Sequence, residues 1–232
     1  VDGSITITAG SSIFDANSVN QYIEAKDGLG RARIVKLNSG TVVEAIVEIP
    51  FFDTNSIASG DYVVESGYEV TWSGTRGYPR TATFHEGRLY LGGTKSRPNT
   101  LFGSRVARFF DFNPGEGLGD DAIEATLDTD SVNAIVGLFS GRDLQIFTKG
   151  GEFFVPQSSL DPITPSNIVI NGSTRRGAKE GIKPVGVESG TIFIQRSGKS
   201  VREFLFSDVE LSYVSNNISL LSSHLLSTPI DM

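Results

Sequence analysis

Acidic side chains gather in one stretch of the sequence: Asp120, Asp121, Glu124, Asp128 and Asp130. Carboxylate oxygens bind Ca²⁺, and a pair of carboxylates across a cleft can cleave glycosidic bonds. An EF-hand loop beginning at Asp128 would need an acid or Asn at position 132 and Gly at 133, where this chain has Val132 and Asn133. We therefore expect a solvated loop, or an Asp that accepts backbone N–H groups at a turn, with calcium binding as the alternative.

Histidine and cysteine, which carry much metal and nucleophile chemistry, are scarce. The chain has no cysteine and two histidines, His85 and His224, without a His-x-x-x-His pair. The Gly-x-Ser-x-Gly motif of serine hydrolases is absent. We expect His85 to be an exposed turn residue and His224 to lie in a short helix or terminal strand. The sequence predicts no catalytic, cofactor-binding or metal-binding residues, no cofactor, and a protein that is not an enzyme.

Basic side chains form the third candidate set: Arg76, Arg80, Arg88, Arg97, Arg105, Arg108, Arg175, Arg176, Lys179 and Lys183. Such side chains neutralise the phosphates of nucleic acids, and arginine is also enriched at protein interfaces. Here they are dispersed along the chain and have acids nearby. This distribution favours surface salt bridges or contacts between subunits over phosphate binding, which stays open.

The net charge of −7 is unevenly distributed. Residues 1–75 hold ten acids and four bases, whereas residues 76–232 hold seventeen acids and sixteen bases. An acidic surface opposes tight binding to a phosphate backbone, because each neutralised phosphate needs a Lys or Arg. It does not oppose a conduit through which DNA passes without sticking.

The elements that hold these residues read as short strands. Apolar and β-branched residues alternate or cluster over 5–8, 19–25, 31–36, 41–48 and 62–71, and turn residues such as Asp27, Gly28, Gly40 and Gly60 separate them. We predict a small β-barrel or sandwich domain over residues 1–73. With 26 glycines, the composition suits turns and strands rather than long helices.

A repeat follows this domain. Three segments each contain an apolar strand, a turn at Gly87, Gly141 or Gly190, and a second apolar strand, and those glycines are 54 and 49 residues apart. A third strand follows in each, and fourth strands are expected at 123–127 and 168–170. A period of about 50 residues with three or four strands is typical of a propeller blade. We predict an all-β chain with a partial β-propeller over 74–232 and blades near 78–127, 131–170 and 182–214; the alternative is a β-sandwich.

Several blocks after Trp72 occur in one order: GYPRTATFHEGRLYLGGTKSRP at 77–98, FFDF at 109–112, DDAI at 120–123, GGE at 150–152, ITPSN at 163–167 and QRSGKSVRE at 195–203. In these blocks, over about 155 residues, the chain resembles the tail nozzle proteins of short-tailed bacteriophages and prophages, also called tail tubular protein B. The stretch before Trp72 matches that family less clearly. The resemblance implies a virion structural protein.

The resemblance implies more about assembly and location. It implies a homo-oligomeric ring, understood to be a hexamer in that family, which conducts DNA by transient, non-specific passage. The implied partners are other phage tail and connector proteins, and the implied location is the virion tail, assembled in the host cytoplasm. We also expect a segment of a longer chain with further blades, and no membrane span, because no eighteen apolar residues occur in succession.

Two other functions stay open. One is a propeller that binds or hydrolyses glycans of a host surface polysaccharide, motivated by the acidic stretch 120–130. The other is a protein-binding propeller of the Kelch type.

Overall fold

The computed structural model describes residues 4–25, 30–65, 71–115, 117–128, 133–156, 162–188, 190–226 and 229–232. The predicted turn at Asp27 and Gly28, the predicted strand residues 66–70 and the acidic residue Asp130 lie outside the described residues. The chain divides into two compact units, Val1–Thr71 and Trp72–Met232.

The N-terminal unit contains one five-stranded antiparallel sheet among its described residues, with the strand order β1-β4-β3-β2-β5. Its strands are β1 (Ser4–Thr8), β2 (Tyr22–Ala25), β3 (Arg31–Ser39), β4 (Val42–Ile49) and β5 (Tyr62–Glu65), and a short 3-10 turn covers Ala16–Ser18. The sheet is therefore open: β1 and β5 are its edges, and no ladder between them is present in the described residues. From the sequence alone, we predict a small β-barrel or a β-sandwich for this region.

The core of this unit follows from alternation along the strands. Ile23, Ile34 and Val43 point to one face and pack with Phe14 from the segment after β1. The opposite face carries ion pairs, including Lys36 with Glu44 at 2.9 Å. One face is apolar and the other is charged, as in an antiparallel sheet with one solvated side.

Among its described residues, the C-terminal unit contains three four-stranded antiparallel sheets, in each of which neighbouring strands are consecutive in the chain. The first sheet holds β6 (Thr81–His85), β7 (Arg88–Gly92), β8 (Thr100–Gly103) and β9 (Ile123–Thr126). The middle sheet holds β10 (Ile135–Ser140), β11 (Leu144–Thr148), β12 (Glu152–Val155) and β13 (Asn171–Thr174). The last sheet holds β14 (Val185–Val187), β15 (Gly190–Ile194), β16 (Val201–Ser207) and β17 (Ser212–Asn217), and a 3-10 turn covers Ser223–Leu225. The prediction of an all-β chain is confirmed.

The turn of the first sheet shows why a glycine recurs here. His85 pairs with Arg88, which leaves a two-residue loop of Glu86 and Gly87. Their φ angles are 44° and 71°. Two consecutive positive φ angles are the requirement of a type I′ hairpin turn, whose twist matches the flanking strands.

Two fourth strands differ from the sequence prediction. The strand expected at 168–170 is instead β13, because Phe154 pairs with Asn171 and Glu152 with Thr174. The apolar run was misleading: Ile168 and Ile170 pack their side chains against the core instead of joining the ladder. The strand β17 was not predicted, because its polar Ser and Asn residues have low strand propensity.

Candidate functional site

The middle sheet is covered on both faces. On one face Ile135, Leu144 and Ile146 pack with Tyr90 and Leu101 of the first sheet. On the other face Phe147 and Phe154 pack with Phe193, Phe204 and Tyr213 of the last sheet. Every residue of β11 is therefore buried.

Hydrogen bonds also join the three sheets. Thr81 of the first sheet accepts from the Leu138 amide at 3.0 Å through Oγ1, and the His85 ring nitrogen Nδ1 lies 2.8 Å from Ser140 Oγ. Tyr213 of the last sheet donates to Asp143 at 2.8 Å, beside the middle sheet. The stacking of the three sheets is thus specified by polar contacts as well as by apolar packing.

The outer face of the first sheet, which points away from the middle sheet, is mostly apolar. Because side chains alternate along a strand, this face carries Ala82, Phe84, Leu89, Leu91 and Phe102, together with the polar Thr100, Glu124 and Thr126. The ring of Phe102 is covered by Trp72, at a centroid distance of 5.7 Å. Phe84 stays 59% exposed, and Phe109 packs on it edge to face at 5.0 Å.

The outer face of the last sheet is mostly apolar as well. The register places one set of side chains on it: Val185, Val187, Ile192, Ile194, Val201, Leu205 and Val214, together with the polar Glu203, Ser207, Ser212 and Asn216. Val185 is 40% exposed and Val187 39%, whereas Gly186 between them faces Phe139 of the middle sheet. The two ends of the stack therefore present open, mostly apolar sheet faces.

The loops beside these two faces carry charged side chains, and the loop that joins β8 and β9 mixes arginines with aspartates. Beside the first sheet, the turn 105–108 contains Arg105 and Arg108, and its Ala107 amide donates to Gly87 O at 2.8 Å. The Arg108 side chain is 51% exposed, with Asp111 4.0 Å away. Beside the last sheet, Glu188 and Glu210 are exposed acids.

A cleft of about 460 Å³ lies between the middle and last sheets. Phe139 and Phe206 provide aromatic walls, and Gln145 and Thr191 lie among its polar lining. Gln145 is 3% exposed and Thr191 1%, and neither Gln145 Oε1 nor Thr191 Oγ1 has a hydrogen-bond partner among the described residues. Two buried polar atoms that lack protein partners call for water or a polar ligand.

Polar and charged side chains line the mouth and the floor of the cleft. At the mouth, the Arg142 guanidinium lies 4.2 Å from the centre of the Phe206 ring and 3.7 Å from an Asp208 oxygen. At the floor, burial raises the pKa of Tyr213 to about 12, and the hydrogen bond to Asp143 adds to the rise. Tyr213 is therefore a neutral donor at physiological pH.

Two acids of the stretch at 120–130, Asp121 and Glu124, have partners within the protein. Asp121 is 1% exposed, accepts from the Leu118 amide at 2.8 Å and pairs with Arg105 at 2.6 Å. Glu124 pairs with Arg97. The expectation that an Asp caps a turn is confirmed by Asp121. No group of three metal-ligating side chains occurs in the part of the chain that the structure describes.

The predicted basic residues separate into three groups. Arg88 is 1% exposed and donates to the carbonyls of Ser104, Gly119 and Asp121 at 2.7, 2.6 and 2.5 Å. A second group makes ion pairs within the chain: Arg80 with Glu180, Arg97 with Glu124, and Arg105 with Asp121. The third group has no described contact with the other basic residues. It consists of Arg175, Arg176, Lys179 and Lys183. The structure therefore brings five of the predicted basic residues to partners within the chain: Arg80, Arg88, Arg97, Arg105 and Arg108.

The two histidines lie in different surroundings. His85 is 5% exposed, which corrects the expectation of an exposed turn residue, because its ring packs near Tyr90 and contacts Ser140. His224 lies in the 3-10 turn Ser223–Leu225.

Neither the two outer faces nor the cleft is predicted from the sequence. The apolar side chains of Val185 and Val187 indicate that one face of this strand is apolar, but the sequence does not show which face a neighbouring sheet covers. No helix of the described residues is both long enough and apolar enough to cross a membrane.

We compared the chain with protein-family models and with curated proteins. The chain matches no protein-family model, and a search of the curated proteins finds no match.

Proposed function

We propose that this chain is a structural component of a phage or prophage tail, a nozzle or tail-tube subunit that acts by assembly. The observation that carries the proposal is the pair of open apolar faces at the two ends of the stacked sheets. Contiguous exposed apolar surface in a soluble protein marks an interaction site. The resemblance to tail nozzle proteins supplies the kind of assembly.

The three stacked sheets are, in this proposal, part of a β-propeller. Each is a four-stranded antiparallel sheet whose strands follow one another in the chain, and adjacent sheets pack face to face. Propellers close with about 4 to 8 such blades. Three blades leave two faces for further sheets or for neighbouring tail proteins.

The charge supports passage rather than capture of DNA. The chain has a net charge of −7, and most of its partnered arginines are held by internal carboxylates or carbonyls. A net negative charge opposes tight binding to a phosphate backbone, so DNA is expected to slide past instead of binding tightly.

The direct test is the protein content of phage particles made by the source of the gene. Quantitative mass spectrometry of purified particles is expected to find the chain at a fixed number of copies, and antibody labelling is expected to place it at the tail. The major capsid protein of the same particles calibrates the copy number. Expression of the chain in producing cells together with its absence from the particles would contradict the proposal.

A second candidate, glycan binding, rests on the cleft between the middle and last sheets. Phe139 and Phe206 offer flat apolar walls, while Gln145 Oε1 and Thr191 Oγ1 are buried without described partners. A sugar presents both a ring face and hydroxyl groups that donate and accept hydrogen bonds. The former motive for this function, the acidic stretch, is weakened because Asp121 and Glu124 are held by arginines.

Titration calorimetry with oligosaccharides from the host surface polysaccharide tests this candidate. Binding is expected to weaken in Thr191→Val, which keeps the shape and removes the hydroxyl, and to persist in Ser166→Ala, which lies outside the cleft. No heat of binding with any oligosaccharide would remove glycan binding, and a blank reducing-sugar assay would remove hydrolysis.

A further inference from the structure

We propose that one end of the three stacked sheets is a binding surface for the phosphate backbone of nucleic acid. The surface consists of the loops at the end of the stack where β6 begins, and we call it the basic end. The inference rests on the proposed passage of DNA and deepens it by naming the surface that contacts the DNA. It is carried by the separation of charge between the two ends of the stack.

The first and middle sheets are stacked with their strand ends aligned. Thr81 and His85, at the two ends of β6, contact Leu138 and Ser140 of β10 in the same order. The beginning of β6 and the beginning of β10 therefore lie at the same end of the stack. The loops that leave these two sheets on that side are neighbours.

The last sheet joins this arrangement through backbone hydrogen bonds. The Ala178 amide, in the segment before β14, donates to Thr148 O at the end of β11 at 2.8 Å. The Arg196 amide, in the loop after β15, donates to Gly177 O at 2.8 Å. The loops of all three sheets at this end therefore adjoin one another.

Basic side chains are concentrated at the basic end. Its described residues hold eleven bases and three acids. They lie in the segments 72–80, 93–99, 127–128, 133–134, 149–151, 175–184, 195–200, 218–226 and 229–232.

The opposite end of the stack, which we call the acidic end, has the reverse balance. Its described loop residues hold three bases and eight acids. They lie in the segments 86–87, 104–115, 117–122, 141–143, 156, 162–170, 188 and 208–211. Residues 76–232, with seventeen acids and sixteen bases, are nearly neutral as a whole. Their charge is nevertheless strongly separated along the direction of the strands.

Much of the positive charge at the basic end is not compensated by acids. Glu180 is shared by two of the bases, Arg80 and Lys149. Six other bases make no ion pair with any described residue: Arg175, Arg176, Lys179, Lys183, Arg196 and Lys199. All of these six except Lys179, which is partly buried, are exposed. Exposed ammonium and guanidinium groups without acidic partners are the groups that neutralise phosphates.

The basic end lacks the apolar centre that is typical of a protein interface. Between residues 93 and 200, its described loops contain no exposed large apolar side chain. The loops of the acidic end contain several, including Phe110 at 91% exposure and Val209 at 95%. Protein interfaces are enriched in aromatic residues at their centres, whereas interfaces with nucleic acid are more polar and more positively charged. The composition of the basic end therefore favours a polymer of phosphates over a protein.

The acidic end does not cancel the charge of the basic end. The five residues of β11, Leu144–Thr148, separate the two ends and span about 17 Å. At physiological salt, the interaction between exposed charges is screened beyond about 8 Å. DNA at the basic end therefore responds to the local positive charge.

The expected contact is weak and independent of base sequence. Lysine and arginine side chains on loops contact the backbone phosphates, which carry no sequence information. The net charge of −7 opposes tight binding. DNA bound in this way stays able to slide, as the proposed passage through a tail requires.

Fluorescence anisotropy of a short labelled DNA duplex of mixed sequence, titrated with the full chain, tests the inference. Binding is expected to weaken steadily as the KCl concentration rises from about 50 to 200 mM, because bound phosphates release counterions. Arg175→Glu and Lys199→Glu are each expected to weaken binding about tenfold at the lowest salt and to reduce the salt slope by about 1. Arg175→Lys keeps the charge and is expected to keep the affinity.

The matched control is Arg108→Glu, which makes the same reversal of charge at the acidic end, where the Arg108 side chain is 51% exposed. Its affinity for the duplex is expected to stay within about twofold of the parent, because the change lies beyond the screening length. Thermal unfolding of every variant confirms that the sheets remain folded.

Three results would overturn the inference: no binding of the duplex at the lowest salt, binding that does not weaken with salt, or an equal loss of affinity in Arg108→Glu. Any of these results in a chain that is still found in phage particles would leave the proposed function standing. Absence from the particles, with salt-dependent binding at the basic end intact, would remove the proposed function and keep the binding surface.

Discussion

The middle sheet and the last sheet share a topology but differ in how much of each is covered. The first four residues of β10, an edge strand of the middle sheet, are buried, whereas all three residues of β14, the matching edge strand of the last sheet, are exposed. Both strands consist mostly of apolar residues and glycine, so composition does not explain the difference. What differs is the number of neighbouring sheets, which is two for the middle sheet and one for the last. Burial in this unit is set by stacking, and exposed apolar surface remains at the two ends of the stack.

The largest expected effect comes from truncating one aromatic ring inside the stack and one at its end. Phe147 is fully buried and packs against Phe193 and Phe204 at centroid distances of 5.1 and 5.4 Å. Phe147→Ala is expected to lower the free energy of unfolding by about 3 to 5 kcal/mol, because it leaves a cavity. The matched change Phe84→Ala, at a 59% exposed ring, is expected to cost under about 1 kcal/mol.

Urea unfolding of both variants, at a concentration where the chain is a single copy, measures the difference. Equal losses of stability in Phe147→Ala and Phe84→Ala would break the distinction between the inside and the end of the stack.

Arg88 is the second test, because it is a buried cation that organises the loop of an end sheet. Its guanidinium donates to three backbone carbonyls, and burial lowers its pKa. Arg88→Met is expected to cost about 3 kcal/mol, since three buried carbonyls lose charged donors. Arg142→Met, at a side chain that is 65% exposed, is expected to cost under about 1 kcal/mol. Thermal unfolding of the two variants in parallel checks this, and a stable Arg88→Met would show that water replaces the guanidinium.

The hydroxyl of Tyr213 links the last sheet to the middle one through its hydrogen bond to Asp143. Tyr213→Phe keeps the ring against Phe204 and removes the donor to Asp143, with an expected cost of about 1 to 3 kcal/mol. The pKa of Tyr213 is raised to about 12 from 10.0, so the folded chain keeps a proton that the unfolded chain loses. Stability is therefore expected to fall as pH rises from 10.0 towards about 12 in the parent. A pH series of unfolding that shows the same alkaline fall in Tyr213→Phe would contradict this origin.

The smallest expected effect concerns Glu152, a fully buried carboxyl on the face between the middle and last sheets. It accepts from the hydroxyl of Thr174 and from the Arg176 amide at 3.2 Å, but burial outweighs these bonds and raises its pKa above 4.5. The folded chain then binds more protons than the unfolded chain, so stability falls as pH rises from 4.5 through the folded pKa. Glu152→Gln is expected to flatten that fall and to change the stability near neutral pH by within about 1 kcal/mol.

Unfolding measured at several pH values from acidic to neutral compares Glu152→Gln with the parent. A parent curve that rises over this interval, or an identical fall in both proteins, would show that other groups control the pH dependence.

Sequence reasoning could predict the strands but not their partners. The turn at Gly87 and the apolar runs on either side of it were readable, because a hairpin is a local structure with a local turn requirement. Ile168 and Ile170 misled the assignment, since apolar side chains can pack on a core without joining a ladder. His85 was judged by its neighbours in sequence, whereas its burial depends on Ser140, fifty-five residues away.

The candidate sites were less predictable than the fold for the same reason. Asp121 and Arg105 were both singled out as candidates for binding, yet each is the internal partner of the other. Gln145 and Thr191 lie on different sheets and meet only when those sheets stack. Pairings between sheets, which the sequence does not encode locally, decide which side chains are free for function.

Hydrogen exchange of backbone amides tests most directly the central claim that the stacking of sheets sets burial in the C-terminal unit. We predict slow exchange for the buried residues of β10, which lies at the edge of the covered middle sheet, and faster exchange for β14, which lies at the edge of the last sheet. Equal exchange in these two edge strands would contradict the claim.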